Sequence, residues 1–214
     1  MPVNVASSMK RDPVSSRALT LLGATALSRY TLMKPGQVDV LSRSRLSYAL
    51  TRMLHSTLKD IALSIMYNLK EGTLASRLTS IDFAHKGFDI WQAYVDPADL
   101  LRSLFDLAVM KEDDVKGAHL MAHARTAVLQ LASSAGPLFI STVTLDIVTA
   151  ETIPRRNAIM KLCVFIARKK PTILLPSLPR LAEAVVKSLD PTRVRMRESI
   201  QQTATVILNE LVST

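Results

Sequence analysis

The chain has 214 residues, 48% of them hydrophobic and 21% charged, with 6 Gly, one cysteine and a formal net charge of +9. That length and apolar content suffice to bury a sizeable core and exclude disorder as a description of the whole. Aromatics at 5% favour Leu/Ala/Val-rich helices over a β-sandwich, and the lone Cys163 excludes an internal disulfide framework and fits a reducing compartment.

Residues 1–14 read as a flexible leader ending at Asp12-Pro13. Ser15 or Ser16 is placed to cap a helix reaching about Leu32, which Lys34-Pro35-Gly36 stops. The run Ala18–Leu27 is too short to span a bilayer and lacks a cleavage pattern, so a buried helix is the better reading. From Asp39 to about Leu69 the pattern gives one long helix, or two jointed near His55-Ser56. Its stripe is Leu46, Leu50, Met53, Leu54, Leu58, Ile61, Ile65 and Leu69, closed by Glu71-Gly72-Thr73. Residues 15–73 thus form N-terminal helices whose placement the pattern leaves open. The first 59 residues are also rich in Ser and Arg and poor in acids, like a mitochondrial transit sequence, although Asp12 and Asp39 and the long stripes look structural.

Residues 74–214 read as a repeat array. Leu74, Leu78, Ile81, Phe88 and Trp91 are expected on one helical face, and Asp96-Pro97 starts a return helix with the stripe Leu100, Leu101, Leu104, Leu107 and Ala108. Residues 111–116 are a charged loop. The next hairpin uses Leu120, Ala124, Val128 and Leu131, breaks at Gly136-Pro137 and returns through Ile140, Val143 and Ile147. A third uses Ile159, Leu162, Cys163 and Ile166, breaks at Lys170-Pro171 and returns through Leu178, Leu181, Ala182, Val185, Val186 and Leu189. Asp190-Pro191-Thr192 caps a last helix with the stripe Ile200, Ala204, Ile207, Leu208 and Leu211. Nothing follows to cover that stripe, which sets the expectation of a bare apolar strip, self-association and a truncated chain.

An arginine opens each hairpin: Arg77, Arg125, Arg156 and Arg197, at spacings of 48, 31 and 41 residues. A period near ~40 holding two helices points to an all-α fold, a HEAT/armadillo-like α-solenoid of antiparallel helical hairpins. The charge is uneven: +7 over residues 1–70, −4 over 71–150 and +6 over 151–214. Such a pattern implies surfaces for different partners.

Motifs for chemistry are absent: there is no G-x-S-x-G, no P-loop, no G-x-G-x-x-G and no C-x-x-C. His119 and His123 are four apart on one helix, but the glutamate of a zinc-protease helix is missing and a third ligand would have to be Asp113 or Asp114. Cys163 lies on an apolar stripe and reads as a structural thiol. His55 and His85 support no dyad, and Asp82, Asp89, Asp96, Asp99 and Asp106 read as a solvated acidic surface. The expectation is a non-enzyme with no catalytic residue, cofactor or metal. Arg168-Lys169-Lys170 at a helix end is explained by the helix dipole. Arg193, Arg195 and Arg197 sit at a helix start, where the dipole disfavours them, and are the candidate partner contacts. Few aromatics interleave with the basic residues, which argues against nucleic acid as the partner.

The run Arg77 through Gly87-Phe88, Trp91, Tyr94 and Asp96 resembles the WD-repeat proteins of the rabconnectin beta-subunit family. Further matches are Ala124-Arg125 through Pro137 to Thr142, and Met196-Arg197-Glu198 through Glu210-Leu211. Together they cover residues 74–214. The resemblance implies a helical array between two propellers: a non-catalytic scaffold for a large rabconnectin-alpha-like subunit and the vacuolar proton ATPase. It also implies a cytoplasmic location, peripheral on endomembranes, with a role in endomembrane traffic. This chain contains no propeller repeat. Gly87, Phe88 and Trp91 are expected as structural anchors, with Gly87 admitting a neighbouring helix. The alternative function is a basic helical adaptor that binds nucleic acid or an anionic membrane directly.

Overall fold

A computed structural model describes residues 45–110, 115–190, 192 and 194–213. The leader at 1–14, the helix expected at Ser15 or Ser16, most of the 111–116 loop, and Arg193 lie outside the described residues, as do the side chains of Leu46, Leu50, Met53 and Leu54. The described residues are all-helical, with no strand among them. The chain divides into two compact units, Met1–Ser103 and Leu104–Thr214.

In the first unit α1 spans Arg45–Glu71 without a joint at His55-Ser56. Leu58, Ile61, Ile65 and Leu69 are buried, as their spacing requires. The Gly72 amide donates to the Asn68 carbonyl at 3.0 Å, and a β-carbon at Gly72 would lie 2.3 Å from that oxygen, so a side chain has no room there. Thr73 then caps α2 (Leu74–Lys86), its Oγ1 accepting from the Ser76 amide at 3.3 Å.

The expected continuous face from Leu74 to Trp91 does not form. Helix α2 is capped at Gly87, and a separate one-turn helix, α3 (Phe88–Trp91), follows. Leu74 and Leu78 are half-buried, whereas Ile81, Phe88 and Trp91 are buried. The cause is the Trp91 indole, which folds back so that Nε1 donates to the Phe83 carbonyl at 2.6 Å. Gly87 makes room for that ring and not for a neighbouring helix: its absent β-carbon would lie 2.6 Å from Trp91 Nε1. Both α2 and α3 pack on α1. Asp96 caps α4 (Pro97–Ala108) by accepting from the Ala98 amide at 2.8 Å, and the divide between the units falls inside α4.

The second unit continues from α4 with α5 (Val115–Ser134), α6 (Gly136–Thr149), α7 (Ile153–Lys169), α8 (Leu178–Ser188) and α9 (Val194–Val212). Phe105 and Phe139 meet edge to face, ring centres 5.6 Å apart, in the core. The break between α5 and α6 falls at Ala135, one residue before the expected Gly136-Pro137, which instead begin α6. Lys170-Pro171 ends α7 as expected, but two 3-10 turns, Pro171–Ile173 and Leu175–Ser177, precede α8 and bury Leu174. Pro171, Pro176 and Pro179 each deny the backbone an amide donor, which favours such short turns.

Helix α6 packs on α5, α7 and α8, and α9 packs on α7 and α8. Asn157 of α7 donates to the Ser199 carbonyl of α9 at 3.4 Å, and Arg168 of α7 pairs with Glu210 of α9. Both contacts join residues 42 apart, so α7 and α9 run parallel. This corrects the expected bare strip: Ile200, Ala204, Ile207 and Leu211 are buried and Leu208 is half-buried, because the stripe faces back onto the preceding helices. Val186 is the opposite case, expected in the stripe of α8 but 58% exposed, since Leu181, Ala184, Val185 and Ser188 form the covered face.

Candidate interaction surface

Three of the four repeat arginines do the same thing. Arg77 of α2 donates to the Lys70 carbonyl at the end of α1, at 2.6 Å. Arg125 of α5 donates from Nε to the Ala108 carbonyl at the end of α4, at 3.0 Å. Arg156 of α7 is buried, and its Nη2 donates to the Val148 and Ala150 carbonyls around the end of α6, at 3.0 and 2.7 Å. Its Nη1 donates to the Ser188 carbonyl at the end of α8, at 3.1 Å. The last carbonyls of a helix have no partner within it, and the helix dipole places partial negative charge there. A forked cation from the next helix answers both needs. Arg197, the fourth, sits half-buried in the first turn of α9.

A groove between α7 and α9 has a volume of about 560 Å³. Lys161, Val164, Phe165, Arg168 and Lys169 line it from α7; Gln202, Thr203 and Val206 line it from α9. On α7 these fall at i, i+3, i+4, i+7 and i+8, one face of a helix. Helix α7 carries Arg155, Arg156, Lys161, Arg168 and Lys169 and no acidic residue. Arg168 is paired: its Nε donates to Glu210 Oε1 at 2.6 Å, and that hydrogen bond raises its pKa from the ordinary value. The Phe165 ring is held from the α5 side by the Arg125 guanidinium, 5.5 Å from the ring centre. A smaller groove of about 290 Å³ between α6 and α8 contains the Glu183–Lys187 pair, whose hydrogen bond holds the Glu183 carboxyl below its usual range.

Of the expected partner contacts, Arg195 is exposed on α9, Arg197 is half-buried, and Arg193 is outside the described residues. Neither Arg195 nor Arg197 lines the groove. Gly87, Phe88 and Trp91 do come together as an anchor. Cys163 is fully buried, and burial pushes its thiol up to about 12. His119 and His123 stack with ring centres 6.3 Å apart, and no group of three His, Cys, Asp or Glu among the described residues is placed to hold a metal ion. Four of the five residues of the acidic series make caps or ion pairs: Asp96 caps α4, Asp99 pairs with Arg102 at 3.2 Å, Asp82 with Lys86 at 3.7 Å, and Asp106 with Arg155, while Asp89 is exposed on α3. Sequence reasoning assigned Arg168, Lys169 and Lys170 to the dipole alone and missed the groove. The available signal was the i, i+7, i+8 spacing of Lys161, Arg168 and Lys169.

No described helix alone is long and apolar enough to cross a membrane; α5 and α6 pass that test only together, bent by 117°. The class defined so far is an all-helical protein with a basic interhelical groove. No protein-family model, curated protein or solved structure matches this chain.

Proposed function

We propose that this chain is a non-catalytic α-solenoid scaffold of the HEAT/armadillo type, working by protein–protein contact. The observation that carries it is the parallel pairing of α7 and α9 at a constant offset of 42 residues. Such an offset is what stacking successive helical hairpins produces, each covering the apolar face of the last. Packing of α6 on α8 adds a second layer of the same kind, and the arginines that reach back from α2, α5 and α7 mark equivalent positions. With the resemblance of residues 74–214 to the rabconnectin beta-subunit family, the partners are a large rabconnectin-alpha-like subunit and the vacuolar proton ATPase, met in the cytoplasm at endomembranes.

The test is co-sedimentation of the purified chain with that large subunit and with the proton ATPase, across a salt series. Replacing Arg193, Arg195 and Arg197 by Ser is expected to weaken docking in a salt-dependent way with helicity intact. Absence of binding to either partner, with binding to heparin or anionic vesicles that moderate salt abolishes, would favour the basic adaptor instead.

A further inference from the structure

The groove between α7 and α9 combines three features that point to one kind of occupant. Its floor is apolar: Val164 is buried, Phe165 is half-buried, and Val206 is 40% exposed. Its rim is cationic, with Lys161 and Lys169 exposed at opposite ends. Eight residues apart on one helix, they stand roughly 12 Å apart along the axis. Arg168, one residue before Lys169, is already paired with Glu210, so the charges left to a ligand are those of Lys161 and Lys169. Gln202 and Thr203 line the other wall with an amide and a hydroxyl.

We propose that this groove docks an extended acidic peptide segment, with one large apolar side chain on the Val164, Phe165 and Val206 floor and carboxylates at Lys161 and Lys169. Two carboxylates four residues apart in an extended strand span roughly 13 Å, which matches the lysine separation. An extended segment also carries unpaired backbone amides and carbonyls, for which Gln202 and Thr203 are suitable partners. A volume of about 560 Å³ falls within the ~300–1,000 Å³ range of ligand clefts, enough for anchoring side chains and too small for a folded domain. Two end charges do not form the continuous cationic track a nucleic-acid backbone follows. Arg125 takes a positioning role: its guanidinium over the Phe165 ring keeps that ring as part of the floor.

The proposal rests on the scaffold reading, and its test separates the two. The full chain is titrated with a fluorescein-labelled peptide bearing one phenylalanine with a glutamate two residues away on each side. Expected are saturable binding that weakens as salt rises, and at least tenfold weaker binding by the Lys161→Glu/Lys169→Glu double variant, whose exposed positions leave the helices intact by circular dichroism. A peptide with alanine for its phenylalanine should lose a similar factor. Val206→Glu, at the floor, is expected to lose binding with the lysines unchanged. Absence of saturable binding, or binding indifferent to these substitutions, overturns the proposal. So does tighter groove-dependent binding of phosphatidylserine vesicles or of a single-stranded oligonucleotide, or a dimer of the chain that excludes the peptide. The same preparations are tested against the large subunit: peptide failure with subunit binding retained defeats the groove alone, and failure of both defeats the scaffold as well.

Discussion

At the corner between α2 and α3, one carbonyl, that of Phe83, accepts from the Trp91 indole, whereas around α7 one guanidinium, that of Arg156, serves carbonyls of Val148, Ala150 and Ser188. The Phe83 carbonyl already accepts from the Gly87 amide at 3.0 Å, so the indole is a second donor there, whereas the last carbonyls of α6 and α8 lack an intrahelical partner and depend on the arginine. The first site supplies a single neutral donor on a large apolar ring, so its stabilisation comes mainly from burial and fit. The second supplies a charged fork with little apolar surface, so its value lies in the hydrogen bonds it makes and in what is left unsatisfied if it goes. The two sites should therefore respond differently to substitution.

The largest effect is expected at the indole. Trp91→Ala should cost roughly 3–5 kcal/mol, the range for removing a buried aromatic, read from urea unfolding. An unchanged melting temperature would mean that Trp91 is not the anchor. Arg156→Ala should cost about 2–3 kcal/mol, since buried carbonyls lose a charge-assisted donor. Arg156→Lys should recover less than half of that, because a single ammonium does not reproduce the fork. Full recovery by lysine would show that charge alone matters there and erase the contrast with Trp91.

Gly87→Ala sharpens the first half of the comparison. A helix end ordinarily tolerates alanine, but here the new β-carbon meets the indole nitrogen at 2.6 Å, so a loss of about 1–3 kcal/mol is expected. In a Trp91→Ala background the same change should become neutral or stabilising. A double-mutant cycle with no coupling would refute the close approach as the reason for glycine.

The smallest effect near neutral pH concerns Cys163. Its thiol is pushed up to about 12 in the folded chain by burial, above its unfolded value, so the folded state keeps a proton that the unfolded state releases first. Its contribution is fully present below about pH 9 and is lost as pH rises towards 12. Stability should fall over that window, and Cys163→Ser should remove this part of the slope while itself lowering stability. Ready reaction of the native thiol with a disulfide reagent at pH 8 would contradict its burial.

Much of the helical core is legible from periodicity. Leu100, Leu101, Leu104, Leu107 and Ala108 are buried together, as are Leu120, Ala124, Val128 and Leu131, and Ile159, Leu162, Cys163 and Ile166. Turn chemistry is legible too, in Thr73, Asp96 and the stop at Lys170-Pro171. The candidate surface is less so. Arg193, Arg195 and Arg197 stand out as charges at the wrong end of a helix, but the groove draws on Lys161 and Lys169 together with residues of α9 more than thirty positions away. The spacing of Lys161, Arg168 and Lys169 marks a basic face of α7, but nothing local tells which helix meets it.

By itself, then, the sequence determined which residues share a helical face, where most helices stop, and that an arginine recurs about every 40 residues. Periods and caps are properties of the local backbone, and they act before any long-range contact forms. Only the tertiary structure decided what covers each face. The stripe of α9 turns back onto α7 and α8, Val186 is left to solvent, Trp91 closes over Gly87, and the lysines of α7 come to border a groove with α9. The physical reason is that burial is not directional: it requires that an apolar face be covered and leaves the choice of neighbour to how whole helices pack.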